Sequence, residues 1–169
     1  MKPFFLAKNM KIEELRSLFD YDSDLGVLRR KFKTCHSKVG DTVGTIDCAG
    51  YLKVSINKKF YYLHRLIWLY VTGSMPNHVI DHINGNRSDN RISNLRDIDV
   101  ASNIQNQKKA NSANKSTRLL GVYQSDRDNP TAKIKVDGKS IHLGTFKTKD
   151  DAHDAYIQAK RKYHKGSTL

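Results

Sequence analysis

"VIDHINGNRSDNRISNLR", residues 79–96, mixes many polar side chains with a few aliphatic ones. The polar residues are mostly Asp, His and Asn, which are typical of tight turns and surface loops. The aliphatic residues are numerous enough to hold the segment against a core, and they are Val79, Ile80, Ile83, Ile92 and Leu95. The stretch therefore predicts a rigid, half-buried hairpin that carries an unusual density of functional groups.

An Asp-His pair on the first strand of this hairpin is the main chemical feature of the chain. Adjacent residues of a strand point to opposite faces, so Asp81 can hold a metal ion while His82 acts from the other side. A neutral imidazole is a good general base when a neighbour fixes its tautomer, and Asn94, opposite His82, is the predicted neighbour. Oxygen ligands from Asp81 and from Asn103, on the helix predicted after the hairpin, suit Mg²⁺ or Mn²⁺. The group matches the needs of metal-assisted phosphodiester hydrolysis.

Other interpretations of the hairpin are a turn-capping Asp beside a solvated His, and a calcium loop. The calcium loop is disfavoured because the segment lacks a bidentate Glu at its twelfth position and has few acidic residues. Four further polar residues fit local turn capping better than catalysis, and they are Asn84, Asn86, Asp89 and Asn90. The residues alone leave the turn-capping interpretation of Asp81 and His82 open.

Net charge is the clearest global property of the 169-residue chain. Thirty Lys and Arg against seventeen Asp and Glu give a formal charge of +13. The charge is +5 over residues 1–60, +2 over 61–110 and +6 over 111–169, so basic flanks surround a near-neutral centre. Binding of a polyanion by both basic flanks explains this layout better than a basic charge that serves only to keep the protein soluble. The composition therefore predicts a nucleic-acid partner.

Several other classes of protein are disfavoured. No apolar run approaches the ~20 residues that span a bilayer, so we expect no membrane association. The N-terminal residues lack the pattern of a leader peptide, and we expect a mature N-terminus. Cys35 and Cys48 form no C-x-x-C pair, which disfavours a zinc ribbon and a disulfide framework and predicts a cytoplasmic location.

Hydrophobic periodicity predicts a β-rich N-terminal region that leads into a helix. Residues 11–19 have helical spacing, and "DYDSDLGVLRRKF", residues 20–32, predicts a turn into a strand. Alternating apolar residues predict a hairpin whose turn is Asn57-Lys58-Lys59. From His64 the period becomes that of a helix, which we expect to end near Gly73.

The C-terminal third has the pattern of a small separate module. "NSANKSTR", residues 111–118, lacks apolar residues and predicts a linker. Three short strands follow in "GVYQS", "TAKIKV" and "SIHLGTF". A closing helix begins at Thr148, which with Asp151 approximates a capping box.

Residues 64–107 resemble the HNH endonuclease family, in the subgroup of phage and intron-encoded homing endonucleases. The resemblance is carried by the pattern "DHxxGNxxDNRxxNLR" and a following Asn. It implies the ββα-metal fold, with His82 as general base, Asp81 as metal ligand and Asn94 as the residue that orients the base. Asn103 stands where many members have a metal-binding His, which favours Mg²⁺ or Mn²⁺ over zinc. For a phage-encoded protein the cytoplasm would be that of the host cell.

The resemblance also suggests residues that contact DNA. His64, in "LHRLIW", recurs in the subgroup, and both a phosphate contact and a packing or helix-capping role are open for it. Arginine side chains bind phosphate well, although each could instead be solvated or paired. The candidate phosphate ligands are Arg65, Arg87, Arg91 and Arg96.

Residues 118–166 resemble the APETALA-type (ethylene-response-factor) DNA-binding domain, through "GVY", "AKIKV", "LGTF" and "DAHDAY". The Arg and Trp of the plant strands are partly missing, so DNA contact is implied without the plant sequence preference. A three-stranded sheet can lay one face in the major groove and pack the other on a helix. We expect the helix side to carry Ala132, Ile134 and Val136. The DNA side would carry Lys133 and Lys135, with Tyr123, Arg127, Lys139 and His142 nearby.

Together these observations predict an α+β protein. Its expected parts are a β-rich extension over residues 1–63, an HNH core over 64–110, a linker over 111–117 and a DNA-binding module over 118–169. The predicted function is metal-dependent nicking or cleavage of double-stranded DNA at a specific site, leaving 5′-phosphate and 3′-hydroxyl ends. The chain would act as a monomer or a homodimer. The alternative is a non-catalytic DNA-binding regulator with a decayed nuclease core.

Overall fold

The computed structural model describes residues 10–107, 110, 114–124 and 128–164. It contains both helices and antiparallel sheets, so the predicted α+β class is confirmed. The chain divides into two compact units, Met1–Ile98 and Asp99–Leu169. Among the described residues, no helix is long and apolar enough to cross a membrane.

The first unit contains two helices and seven strands among its described residues. In chain order they are α1 (Ile12–Leu18), β1 (Phe19–Asp22), β2 (Val27–Arg30), β3 (Thr45–Ile46), β4 (Leu52–Ile56), β5 (Lys59–Tyr62), α2 (Leu63–Thr72), β6 (Val79–His82) and β7 (Leu95–Ile98). β1 pairs with β2, β3-β4-β5 form a meander, and β6 pairs with β7. The predicted strand after residue 20 is thus the second half of a hairpin.

Local chemistry explains where these elements end. Asn57 and Lys58 both have positive φ, which is the geometry of a two-residue hairpin turn between β4 and β5. Gly73 adopts the left-handed conformation and its N–H bonds to the carbonyl of Leu69, which ends α2. Both boundaries agree with the sequence prediction.

A core of aliphatic and aromatic side chains holds the first unit together. Its largest fully buried side chains lie on α1, the β1–β2 hairpin and α2. They include Leu15, Phe19, Leu28, Leu63, Leu66 and Ile67. Ile80 of β6 and Leu95 of β7 join the same core. The β6–β7 hairpin is therefore anchored through its aliphatic residues, as its sequence predicted, and its polar residues are held in a fixed place.

The second unit is a sheet packed on a helix, as predicted. Its elements are α3 (Val100–Gln105), β8 (Val122–Tyr123), β9 (Thr131–Val136), β10 (Lys139–Thr145) and α4 (Lys149–Tyr163), and the strand order is β10-β9-β8. Ala132 and Ile134 of β9 are buried in one cluster with Tyr156 of α4. The hydroxyl of Thr148 accepts a hydrogen bond from the N–H of Asp151, which confirms the predicted cap.

The second half of the predicted linker forms hydrogen bonds within the second unit. The amide of Asn114 donates hydrogen bonds to the carbonyls of Leu119 and Val122, at 3.0 and 2.9 Å. The hydroxyl of Thr117 donates to the Val122 carbonyl at 2.8 Å. Polar side chains thus attach this segment to the rest of the second unit, and a search for hydrophobic residues cannot detect such an attachment. Residues 111–113 lie outside the described part of the chain.

Helix α3 belongs to the second compact unit. The buried side chain of Lys160, on α4, donates a hydrogen bond to the carbonyl of Gln107. This contact joins the segment after α3 to the interior of the C-terminal module. Asn103, on α3, is therefore part of the second unit.

Candidate active site

Strand β6 places Asp81 and His82 side by side in the first unit. Their side chains are both buried, with 8% and 4% of each residue exposed. In the antiparallel pairing, Asp81 lies opposite Arg96 and His82 lies opposite Leu95. The turn-capping interpretation required a solvated His, and the burial of His82 contradicts it.

The imidazole of His82 is held by Asn90. Its Nε2 lies 3.0 Å from Oδ1 of Asn90, whose residue is completely buried. Since an amide oxygen only accepts hydrogen bonds, Nε2 carries the hydrogen and the lone pair of the neutral ring is on Nδ1. Burial lowers the pKa of His82, and the hydrogen bond to Asn90 opposes that shift. This environment favours a neutral imidazole and one tautomer, which is what a general base requires.

The described hydrogen bonds of Asn94 go to residues other than His82, so its predicted role in orienting the base stays a prediction. Oδ1 of Asn94 accepts from the N–H of Asn84, and its Nδ2 donates to Oδ1 of Asn84 and to the carbonyl of Asp89. The strand register pairs His82 with Leu95, so Asn94 falls in the 3₁₀ turn before β7. Its amide spans the base of the loop between the strands and holds that loop closed.

Asp81 forms an ion pair with Arg96 across the hairpin. Nε and Nη2 of Arg96 both lie 2.8 Å from Oδ2 of Asp81. Of the interpretations considered for Arg96, the paired one is therefore observed. Among the described residues, no group of three or more His, Cys, Asp or Glu side chains could hold a metal ion. A cation at Asp81 would need further ligands such as water or substrate oxygens, which is ordinary for Mg²⁺.

His64 packs directly beside His82 in an aromatic cluster of Tyr51, Tyr62, His64 and His82. The ring centroids of His64 and His82 are 5.3 Å apart and the rings are nearly perpendicular. Tyr62 stacks on His64 at 5.3 Å, and Tyr51 contacts both imidazoles. Burial lowers the pKa of His64 to about 3, so its ring is neutral. The packing role left open for His64 is observed, while the helix cap is Tyr62.

The candidate phosphate ligands of the first unit differ in what they already bind. Nη1 of Arg87 donates to the carbonyl of Ala49 at 2.7 Å, and its guanidinium lies 4.8 Å from the Tyr51 ring centroid. Arg91 pairs with Asp89 and lowers the pKa of that carboxyl to about 2. These two arginines stabilise the loop. Arg65 is half-buried on α2, and burial lowers its pKa.

The second unit exposes most of the residues predicted to face DNA. Lys133 and Lys135 of β9 point away from the buried Ala132 and Ile134. His142 of β10 is the strand partner of Lys133, so it extends the same face, and Lys139 at the start of β10 is exposed. The exposed fraction of Tyr123 is 54%. Arg127 lies outside the described residues.

One family model matches the part of the chain that contains the β6–β7 hairpin. Residues 61–103 match the family model of HNH endonucleases. This part of the chain is similar to an HNH nuclease domain. The match begins three residues before the predicted core and ends at Asn103. It spans α2, the β6–β7 hairpin and most of α3, and therefore includes Asp81, His82 and Asn94.

A solved structure is also similar to this chain. It is described as "DNA binding and cleavage by the HNH homing endonuclease I-HmuI", and the similarity covers 93% of each chain at 21% sequence identity and a TM-score of 0.46. No curated protein matches the chain.

Sequence reasoning missed Asn90 and Tyr51, which contact His82, and Tyr62, which stacks on His64. Asn90 was assigned to turn capping because it follows Ser88-Asp89 in a turn-rich segment. Tyr51 and Tyr62 lie in the β3–β4 connection and β5, and no sequence pattern relates them to His82. An amide in the loop that follows an Asp-His pair is the signal that could have identified Asn90.

Proposed function

We propose that this chain is a divalent-metal-dependent DNA endonuclease of the homing type. It nicks or cleaves double-stranded DNA and leaves 5′-phosphate and 3′-hydroxyl ends. The observation that carries the proposal is the buried imidazole of His82, which is hydrogen-bonded to Asn90 and adjacent to the carboxylate of Asp81. A decayed nuclease would have no reason to keep a histidine in this environment, since burial of an imidazole costs free energy.

His82 supplies the general base. The nitrogen opposite the Asn90 hydrogen bond, Nδ1, takes the proton of the attacking water. Asp81 supplies a hard oxygen ligand, and its chemistry fits Mg²⁺ or Mn²⁺. When bound, such a cation stabilises the charge that develops on the scissile phosphate and on the leaving 3′-oxygen. The second ligand predicted from the resemblance is Asn103, and Asn94 keeps the loop around the base closed.

DNA is the proposed substrate and partner. The formal charge of +13 favours a polyanion. Arg65, on the helix that carries His64, is a candidate for phosphate contact in the nuclease unit. The exposed outer face of β9 and β10 would dock on the duplex, in the manner that the APETALA-type resemblance implies. One nuclease domain per chain favours nicking by a monomer and double-strand cleavage by a homodimer.

A plasmid assay tests the proposal. We expect the wild-type protein to nick supercoiled plasmid with Mg²⁺ or Mn²⁺ and to lose this activity with a chelator. Treatment with DNA ligase should reseal the nicks, because ligase requires a 5′-phosphate and a 3′-hydroxyl. A non-catalytic regulator would bind the plasmid and leave it supercoiled under every condition.

The variant His82→Ala tests the base itself. Loss of a general base typically slows a reaction ~10²–10⁴-fold, while DNA affinity should stay nearly unchanged. His36→Ala is the matched control because it removes an exposed imidazole from the same unit. Nicking by His82→Ala within a few-fold of wild type would reject His82 as the base.

A further inference from the structure

Two features of the first unit converge on the residue that holds His82. Asn90 is completely buried and its Oδ1 accepts from the imidazole of His82. The β1–β2 hairpin, 60 or more residues earlier in the chain, contacts the backbone of Asn90. We propose that Asn90 is the positioning residue that fixes the tautomer of His82, and that Tyr21 and Gly26 of the β1–β2 hairpin hold Asn90 in place. The inference rests on the proposed role of His82 as general base.

The orientation of the Asn90 amide decides which nitrogen of His82 is basic. With Oδ1 toward the ring, Nε2 carries the hydrogen and Nδ1 has the lone pair. An amide turned by half a revolution would donate to Nε2 and leave the hydrogen on Nδ1. Nδ2 of Asn90 is buried and has no hydrogen-bond partner among the described residues. The bond to His82 is thus the one described hydrogen bond of this amide, and its geometry depends on the backbone that carries it.

Tyr21 fixes that backbone from one side. Its hydroxyl donates to the carbonyl of Asn90 at 3.3 Å and accepts from the N–H of Ile92 at 2.9 Å. Both bonds link β1 to the loop residues on either side of Arg91. The hydroxyl is partly buried, and burial raises the pKa of Tyr21, so the group stays protonated and able to donate. Tyr21 therefore holds the carbonyl of Asn90 and the N–H of Ile92 in place, and with them the backbone that carries the Asn90 side chain.

Gly26 fixes the same backbone by close approach. A Cβ at Gly26 would lie 2.4 Å from the N of Arg91 and 2.7 Å from the carbonyl carbon of Asn90. No side chain fits between the β1–β2 turn and this peptide group, so the two backbones are in direct contact. Gly26 also has φ of +68°, which favours glycine. The β1–β2 turn therefore packs directly against the backbone of Asn90 and Arg91. Asn90 carries the amide that is proposed to orient His82.

The chain contains a matched control for this contact. Gly40 also has a positive φ, +88°, but a Cβ there would meet nothing within 4 Å. An Ala at either position suffers the same kind of backbone strain. Only Gly26→Ala would also displace Asn90 and Arg91. A difference in nicking rate between the two variants therefore reflects the contact of Gly26 with Asn90 and Arg91 rather than the backbone conformation of the glycine.

The first experiment replaces Asn90 itself. Selective ¹⁵N labelling of histidines, with His82 assigned from the His82→Ala spectrum, reports which ring nitrogen carries the hydrogen. We expect wild type and Asn90→Asp, which keeps the acceptor oxygen, to show the hydrogen on Nε2. We expect Asn90→Ala to show a mixture of tautomers and a single-turnover nicking rate lower by about 10²-fold with unchanged DNA affinity. Asn86→Ala, an exposed amide of the same loop, should match wild type in both measurements.

The second experiment compares Gly26→Ala with Gly40→Ala. With thermal unfolding as a check on the folded fraction, we expect Gly26→Ala to slow single-turnover nicking by about tenfold or more, as misplacement of a catalytic group does. Gly40→Ala should nick within about twofold of wild type once both are saturated with plasmid. This pair tests the inference even if Asn90→Ala fails to fold. A merely structural role for Gly26 would lower the melting temperature and leave the rate constant of the folded protein unchanged.

The outcomes separate this inference from the proposed function. If His82→Ala nicks like wild type, His82 is not the base and the proposed mechanism fails first. If His82→Ala is inactive while Asn90→Ala keeps both the wild-type tautomer and the wild-type rate, the positioning role of Asn90 is overturned alone. Equal rates for Gly26→Ala and Gly40→Ala would overturn the role of the β1–β2 hairpin. The tautomer measurement needs no cleavage and stands in either case.

Discussion

At the scale of single residues, a buried negative charge of the site is compensated by a positive charge on the same hairpin. Asp81 is buried, and Arg96 on the neighbouring strand supplies the compensating positive charge at 2.8 Å. A buried carboxylate without a partner would be costly. A divalent cation at Asp81 would bring a second positive group to the same carboxylate, so metal binding and the ion pair depend on the same negative charge.

The variant Asp81→Asn tests this dependence because it keeps the side-chain shape and removes the charge. We expect Mg²⁺ binding, measured by calorimetry, to weaken by at least ~10-fold, because even loss of an outer-shell partner typically costs ~10–100-fold. Nicking should fall in parallel, and excess Mn²⁺ should not fully restore it. Asp24→Asn removes an exposed carboxylate from the β1–β2 turn and serves as the control. Unchanged metal binding in Asp81→Asn would remove Asp81 from the ligand set.

The buried imidazoles predict how stability depends on pH. The pKa of His64 is lowered from 6.5 to about 3, so the unfolded chain binds a proton at His64 below pH 6.5 that the folded protein does not bind until about pH 3. Stability should therefore fall as the pH drops through this window, by up to ~1.4 kcal/mol per pH unit for each such group. The pKa of His82 is also lowered, and this adds to the same trend.

His64→Phe should flatten this dependence because it keeps an aromatic ring in the cluster and removes one titrating group. The measurement is the free energy of unfolding in denaturant across acidic buffers. We expect a slope lower by up to ~1.4 kcal/mol per pH unit than in wild type. His36→Ala, in an exposed loop, is the control for the loss of a histidine. An identical slope in His64→Phe and wild type would show that His64 titrates equally in both states.

At the scale of elements, the sequence predicted the turns, helix ends and caps that depend only on the residues that form them. The turn at Asn57-Lys58, the end of α2 at Gly73 and the cap at Thr148 all follow from the residues that form them. The partner of His82 could not be predicted in this way. Strand register places Leu95 opposite His82, and the fold of a twelve-residue connection decides that Asn90 rather than Asn94 reaches the ring. Such contacts depend on packing against the β1–β2 hairpin, which is distant in sequence.

Strand β9 carries a prediction of its own because its residues alternate between two environments. Ala132 and Ile134 are buried, whereas Lys133 and Lys135 are exposed. If the exposed face docks on DNA, the double variant Lys133→Gln/Lys135→Gln should flatten the dependence of log K on log salt by up to ~1.8, or ~0.9 per lost phosphate contact. The control removes the same charge from exposed positions of α4, in Arg161→Gln/Lys162→Gln. Equal slopes in the two double variants would exclude β9 as the docking strand.

At the scale of the whole molecule, each unit has its own hydrophobic core. The buried core residues of the first unit lie between Met10 and Leu95. Those of the second unit lie between Val122 and Ala159. No described core residue is shared, so each unit can keep its interior without the other. The proposed chemistry is concentrated in the first unit, and the second carries slightly more than half of the net positive charge, +7 of +13.

Removal of residues 111–169 tests this division of roles. The deletion removes twelve basic and six acidic side chains, a net charge of +6, and leaves the core of the first unit complete. We expect a folded protein that binds DNA more weakly, discriminates less between target and random duplexes, and retains slow, nonspecific plasmid nicking. Its salt dependence should be flatter by ~0.9 for each lost phosphate contact. Binding to both duplexes across a salt series measures these changes, with His82→Ala in the full chain as the reference for lost chemistry with intact binding. Equal salt slopes and equal specificity ratios for the truncated and complete proteins would show that the C-terminal module does not dock on DNA.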